Sequence, residues 1–373
     1  VGDGKLITLI EEGEIYSPGH EGVKSILLSG SQIHQIGRID RAKLSEAGVE
    51  YELINATDCI VVPGLIDTHS HIAGGGGEQS FRSRQPEITV EELVSSGITT
   101  VIGCLGTDTV TRSLSTLLAT ARKLEEQGVT AFVYSGGFPI PTPTFTGSVL
   151  EDLVIIDRVI GVGEIAISDM RSTGPIINEL VRVVSEAYIG GTLSGKAGIT
   201  NFHTGSGKDR LKMLHEILDN HEVMPECLYP SHVNRTLELL HDAIALTRRG
   251  CFVDMDTTEE GLGKFLRYYQ EHGGAPDKLT VSSDSHTPGA NPKKHFKEIV
   301  DCIQKHDLSL EEILPYFTLN PSNVLKMPNK GRIAEQADAD LLVLNKETLE
   351  IVHVIALGKH LVKNGRYAGE PPW

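Results

Sequence analysis

What this chain lacks narrows its reading first. No apolar run approaches the roughly 18 residues of a membrane-crossing helix. The opening stretch VGDGKLITLIEEGE has no basic segment followed by a long apolar one, so neither a bilayer span nor a secretory leader is expected. Basic residues are in deficit, 34 Lys and Arg against 50 Asp and Glu for a formal net charge of −16. With no Lys/Arg-rich block to follow a phosphate backbone, nucleic acid is not an expected partner. The cysteines at 59, 104, 227, 251 and 302 are scattered and form no C-x-x-C pair, which points to reduced thiols and a cytoplasmic chain. Self-similar repeats, low-complexity segments and a Pro/Gly/Ser-rich linker between two halves are all missing.

What is there is a change of pattern along 373 residues. Residues 1–62 read as short strands separated by turns (LITLIEEGEIYS, SILLSGSQIHQIG, YELINATDCIVV), and the stretch 329–373 supplies more of the same in ADADLLVLN and IVHVIALGKHLVKNGRYAG. The two ends are expected to build one small β-sandwich together. Between them, over 63–328, eight short apolar strands (IVVPGLID, TTVIGCLG, TAFVYSGG, VIGVGEIAI, GITNFHTG, LYPSHV, CFVDMD, LTVSSD) alternate with helical segments. That size and alternation predict an α/β fold, a TIM (β/α)8 barrel whose reactive groups lie at the C-terminal strand ends.

At those strand ends stand metal-ligand residue types. The first strand closes on DTHSH, where His69 and His71, two apart, face the same side of an extended chain; the fourth carries Glu164, the fifth ends at His203, the sixth at His232 and the eighth at Asp284. A lone H-x-H is weak evidence, and any one of these histidines alone reads as a core or rim residue. Their convergence on one barrel face is the signal. Six such ligands exceed the needs of one tetrahedral ion and suit two divalent ions sharing a bridge. Glu164 is then the bridging carboxylate, with Gly163 beside it allowing close backbone approach. The competing explanation is a strand carboxylate paired with a barrel arginine. His215, His221, His241, His272, His295 and His306 fall mostly in helical segments and read as solvated surface, while His286, two after Asp284, is undecided between lining the site and capping a loop.

With these residues in place the chain resembles the amidohydrolase superfamily, and within it the bacterial isoaspartyl (β-aspartyl) dipeptidases. The motifs run in order from VVPGLIDTHSH through GGGGE, GTD, TGSVLEDLVIIDRVIGV, AISDMRS, FHTG, PSHVNR and SSD to ADADLLVL. The resemblance implies that His69 and His71 hold one zinc and His203 and His232 the other. It also implies that Asp284 binds the first ion and handles protons as the catalytic acid–base group, with a hydroxide between the ions attacking the amide. It implies further that Glu78 receives the substrate α-ammonium, Arg171 and Arg235 its carboxylates, and that Thr107 and the backbone of Gly76 help to orient it. One acid and two bases complement the charges of a β-aspartyl dipeptide. The bland reading of GGGGE is a flexible rim loop; without a following Lys-Ser/Thr it is no phosphate loop. A homo-oligomer is the expected assembly.

Two positions depart from the family. Its metal-bridging carboxylated lysine is replaced by Glu164, with one extra residue before AISD, and its oxyanion-assisting tyrosine is replaced by Phe138. A phenylalanine donates no hydrogen bond, and losing one such donor costs a factor of about 100 to 1,000 in rate, so Tyr134, a loop residue or the metal itself has to substitute, or the substrate differs. The rival readings are therefore another amidohydrolase activity (N-acyl amino acid deacylase, cyclic-amide hydrolase or deaminase) and a non-catalytic scaffold. No Ser-His-Asp or Cys-His arrangement competes.

Overall fold

The computed structural model describes residues 7–285, 287 and 289–369. The N-terminal strands are β1 (Ile7–Tyr16), β2 (His20–Ser29), β3 (Gln32–Gly37), β4 (Glu52–Asn55) and β5 (Cys59–Pro63). The central ones follow: β6 (Leu65–Ser70), β7 (Ile98–Gly103), β8 (Thr130–Ser135), β9 (Val159–Ile167), β10 (Ile199–Thr204), β11 (Leu228–Ser231), β12 (Val253–Asp256) and β13 (Leu279–Ser282). The chain closes with β14 (Leu341–Asn345), β15 (Ile351–Ala356), β16 (Lys359–Lys363) and β17 (Arg366–Tyr367).

Both chain ends enter a single nine-stranded sheet, joined where β5 runs antiparallel to β14 with Val62 opposite Leu342. Ile10, Ile15, Ile26, Ile33, Val61, Leu341, Val343 and Ile355 give this sheet a core of its own. In β1 the burial switches along the strand, as expected of a sheet covered on one face.

The central strands differ. Every residue of β6, β7, β9, β10, β11, β12 and β13 is buried, because helices cover one side and the opposite strands the other. β6 to β11 form a curled six-stranded parallel sheet in chain order, and β12 and β13 a parallel pair. Backbone bonds cross both gaps: Val233 N donates to Asp254 O on one side, and Asp284 N donates to His69 O (3.0 Å) on the other. The connecting helices carry their own start signals. Ser113 caps Leu114–Glu126, Ser148 caps Val149–Ile155 and Thr236 caps Leu237–Arg248, each side chain accepting from a backbone N–H three residues on. Leu114, Leu117, Ala121 and Leu124 make the buried stripe of the first of these.

One expectation fails here. His295 was read as solvated surface, but it is fully buried on helix Pro292–His306, with its ring edge-on to Phe317. It shares a stripe with Ile299 and Cys302, and that face packs inward.

Candidate active site

The extra residue before AISD is absorbed as a bulge. Val162 pairs with Thr200 and Ile165 with Phe202, so Gly163 and Glu164 together oppose the single residue Asn201. A bulge beside a site re-aims a side chain, and here it turns Glu164 into the space above the strand ends. Only glycine fits before it: a Cβ on Gly163 would lie 2.7 Å from Asn201 O.

Glu164 is 1% exposed and faces four imidazoles. Its Oε2 lies 2.9 Å from His203 Nδ1, 3.2 Å from His69 Nε2 and 3.5 Å from His232 Nε2, and its Oε1 lies 3.5 Å from His71 Nε2. Asp284 Oδ1 is 3.2 Å from His71 Nε2 and 3.7 Å from His69 Nε2. Glu164 is thus surrounded by imidazoles, and not paired with a barrel arginine. His232 and Asp284 hold their places with φ of +62° and +48°, in the left-handed region that side chains avoid unless the surroundings impose it.

Burial favours neutral forms, yet mutual attraction wins. Burial opposes a charged Glu164, but His69 and His203 outweigh it and hold the carboxyl well below its ordinary range. The same competition pushes His69 well up through Glu164 and Cys104, pushes His232 up to about 9 through Asp256 and Glu164, and lowers Asp284 through His71 and His232.

The donor set fits divalent cations. His69 Nε2 and Asp284 Oδ1 are buried with no hydrogen-bond partner among the described residues, although each faces an opposite group within 3.7 Å. Atoms in that state surround a point instead of bonding one another. Their spacing suits ligands of a common ion, for which tetrahedral N–N separations are about 3.3 Å. Two overlapping groups bring their ligand atoms within 4.8 Å of one another, His69, His71, Cys104 and Glu164 in one and Glu164, His203 and His232 in the other.

The cluster forms the floor of a cavity of about 430 Å³. Gly76, Glu78, Thr107, Phe138, Arg171 and Arg235 line its walls, so the structure brings the expected substrate residues to one space. Their partners are partly internal. Glu78 Oε1 accepts from Thr107 Oγ1 and from Arg171 Nη1, each at 2.9 Å. Arg171 also grips Asp169 through Nε and Nη2, at 2.9 and 2.8 Å. Arg235 makes no ion pair among the described residues, and its Nε is buried without a partner.

A model of the amidohydrolase family matches residues 60–361. The chain belongs to the amidohydrolase family. Crystal structures of a β-aspartyl dipeptidase from Fervidobacterium islandicum are similar over the whole length. One is 38% identical with a TM-score of 0.93, covering 98% of this chain and 100% of that one. The other, in complex with a β-Asp-Leu dipeptide, is 37% identical with a TM-score of 0.94 and covers both chains completely. A dihydroorotase of Clostridium acetobutylicum is 32% identical over 114 residues, which is 29% of this chain and only 24% of the dihydroorotase. This amidohydrolase is a hydrolase by that kinship.

Several of its residues escaped the sequence reading. Tyr134 is no substitute for the missing tyrosine of the family: it is fully buried and its hydroxyl donates to Thr68 O at 3.1 Å, because on β8 it points inward among the strands. Phe138 does line the cavity, its ring centroid 4.3 Å from that of His203 and tilted to it by 41°, with Arg171 above it at 5.1 Å. His286 lies outside the described residues. Asp169 was overlooked although it stands two before Arg171; it accepts from Arg171 and sits 3.2 Å from His203 Nε2. Asp256 accepts from His232 Nδ1 at 2.8 Å. Cys104 Sγ lies 3.8 Å from His71 Nδ1, where β7 ends. Asp256 ends β12, Cys104 follows β7 and Asp169 lies two residues beyond β9, so each is a single residue at the face where His203 and Asp284 were found.

Proposed function

We propose that this amidohydrolase cleaves the amide bond of β-aspartyl (isoaspartyl) dipeptides, with two divalent ions, zinc by its resemblance to the dipeptidases, between its histidines. The observation that carries this reading is that one cavity holds Glu78, Arg171 and Arg235 above the histidine–carboxylate floor. That charge set complements one ammonium and two carboxylates. The whole-length likeness to β-aspartyl dipeptidases supports it.

In this reading His69, His71 and Asp284 would hold one ion and His203 and His232 the other, with Glu164 as the carboxylate shared between them. Such ions lower the pKa of coordinated water and polarise a carbonyl. The rest falls to side chains. Arg235, with no ion-pair partner among the described residues, takes a substrate carboxylate, and the substrate ammonium exchanges with Arg171 for Glu78. Asp284 Oδ1, ionised at neutral pH, accepts the proton of the attacking water and delivers it to the leaving amine nitrogen.

The same reading takes 63–328 as a closed (β/α)8 barrel and 1–62 with 329–373 as a small domain whose sheet folds into two facing layers. Exposed Ile155, Ile189 and Leu193 on neighbouring helices support a homo-oligomer. Five free cysteines support a cytoplasmic setting. The second reading, hydrolysis of another amide such as an N-acyl amino acid or a cyclic amide, draws on Phe138 standing where the family has a tyrosine.

Purified protein assayed on β-Asp-Leu, α-Asp-Leu, N-acetyl-leucine and a cyclic amide decides between them. Turnover of β-Asp-Leu at least about tenfold above the others is expected. Turnover of the acyl or cyclic amide in its place overturns the reading.

A further inference from the structure

The tetraglycine loop is not a flexible rim. Gly75 O accepts from Gln85 N at 2.8 Å, Gly76 pairs with Arg84 as an antiparallel bridge, and a Cβ on Gly76 (φ +65°) would lie 2.6 Å from Ser83 O. The largest brace is Arg112, which is only 6% exposed. Its Nη2 donates to Gly75 O at 2.6 Å and Gln85 O at 3.4 Å, and its Nη1 to Gly76 O at 3.2 Å and Asp108 Oδ2 at 3.3 Å. Asp108 Oδ2 accepts from Arg84 Nη1 as well, at 2.8 Å, and its Oδ1 from the backbone N–H groups of Val110 and Thr111. Burial would raise this carboxyl, but the Thr111 hydroxyl, which donates to Oδ2, the two backbone bonds and Arg84 draw it down to about 2. Arg84, Asp108 and Arg112 all line the cavity beside Gly76 and Glu78.

Carbonyl oxygens satisfy a guanidinium's donors without cancelling its charge. The one anion in contact with Arg112 among the described residues is Asp108. Under the dipeptidase reading, on which this inference rests, a substrate ammonium binds next to Gly76 O and Glu78. A carbonyl has two lone pairs, so Gly76 O accommodates Arg112 and the ammonium together, the more readily the more the charge behind it is offset. An uncompensated arginine there repels the ammonium.

We infer that Arg112 and Asp108 are positioning residues for recognition of the substrate's α-ammonium: Arg112 sets the Gly75 and Gly76 carbonyls, and Asp108, shared with Arg84, offsets part of the positive charge gathered there. Lysine cannot replace Arg112, because a point-like ammonium lacks the planar fork that spans three carbonyls and a carboxylate.

The test compares β-Asp-Leu with N-succinyl-leucine, which keeps both carboxylates and the amide but has no ammonium. Wild type, Arg112→Lys and Asp108→Asn are each measured for KM and kcat on β-Asp-Leu and for the inhibition constant of N-succinyl-leucine. Both variants are expected to raise KM for β-Asp-Leu roughly ten- to hundredfold, the scale of a hydrogen bond to a charged group, with a smaller change in kcat. For Asp108→Asn the dianionic N-succinyl-leucine is expected to bind equally well or more tightly, a divergence that no general loosening of the loop produces. Parallel weakening of both ligands, or an unchanged KM for β-Asp-Leu, overturns the inference. Asp108 is partly exposed and bears the test alone if Arg112→Lys does not fold. Failure of wild type to hydrolyse β-Asp-Leu is a separate result and counts against the dipeptidase reading itself.

Discussion

Two clusters in this molecule join histidines to carboxylates, and they behave in opposite ways. At the mouth of the central strands four imidazoles and two carboxylates converge, and burial notwithstanding, the carboxylates push His69 and His232 upward, as Cys104 and then Asp284 do His71. On the small sheet His353 and His360 stand on adjacent strands β15 and β16 with Glu52 and Lys363, and both histidines are pushed down, His353 to about 4. The residue types match; the bookkeeping of charge does not. On the sheet one carboxylate serves two histidines and a lysine, in a chain where each group is bonded to the next: Lys363 to Glu52 at 2.7 Å, Glu52 to His360 at 2.9 Å, His360 to His353 at 3.0 Å. At the mouth His69 Nε2 and Asp284 Oδ1 stay unbonded among the described residues. A histidine–carboxylate group satisfied within itself is structure; one with donor atoms left over around a shared point is a candidate ligand cage.

The largest effect expected from that contrast comes from Glu164→Gln, which keeps the shape and removes the charge. Loss of about three orders of magnitude in kcat or more is expected, since ligand charge supports several kcal/mol of transition-state stabilisation, together with loss of bound metal by elemental analysis. Wild type should carry about two ions per chain and lose activity on exhaustive chelation. Reconstitution should proceed equally well without bicarbonate, because Glu164 needs no carbamylation. His353→Gln serves as the counterpart and should leave activity within about twofold, as surface changes away from a site do. Full activity of Glu164→Gln, or metal stoichiometry unmoved by it, removes the distinction between the clusters.

A smaller effect tests how the mouth cluster is held. Asp256 is fully buried and accepts from His232 Nδ1, which leaves Nε2 directed at Glu164. Orienting partners of this kind are worth about 10- to 100-fold in metal affinity. Asp256→Asn should therefore weaken metal retention by that factor in a competition against a chelator of known affinity, with folding intact by circular dichroism. Unchanged affinity would show that the strand ends alone position His232.

These contrasts also mark how far the sequence could be read. The strand-end residues were legible because a parallel strand buried on both faces has no ordinary use for His69, Glu164 or Asp284. The extra residue before AISD was visible too, but not its consequence, since a bulge depends on the register of β10 against β9 and on Asn201 being the residue it skips. Tyr134 was misjudged because alternation along β8 says which residues face inward without saying at what depth. His295 was misplaced although His295, Ile299 and Cys302 fall at helical spacing, a pattern that marks a core face. Arg112 and Asp108 lie four apart in a segment without regular structure, where no periodicity points to a partner; only the folded loop shows that they meet Gly75 and Gly76. Pairings that depend on loops closing over one another were the part the linear pattern did not hold.

The smallest effect belongs to the sheet cluster, and its sign follows from the direction of the shift. His353 is lowered from 6.5 to about 4, first by burial and then by His360. Between those values the unfolded chain holds a proton that the folded one does not, so stability falls as the pH drops from 6.5 toward 4 and changes no further from this source below that. Both histidines keep part of their surface in contact with solvent, so screening reduces the effect to roughly 1 kcal/mol. His353→Gln removes the titration while keeping a group able to hydrogen-bond His360. In urea melts the variant should gain on wild type by about that amount on going from pH 7.5 to pH 4.5, whatever its offset at neutral pH. Parallel loss of stability in the two proteins would mean that His353 exchanges its proton freely in the fold, and that the two histidine clusters differ in ligand geometry alone.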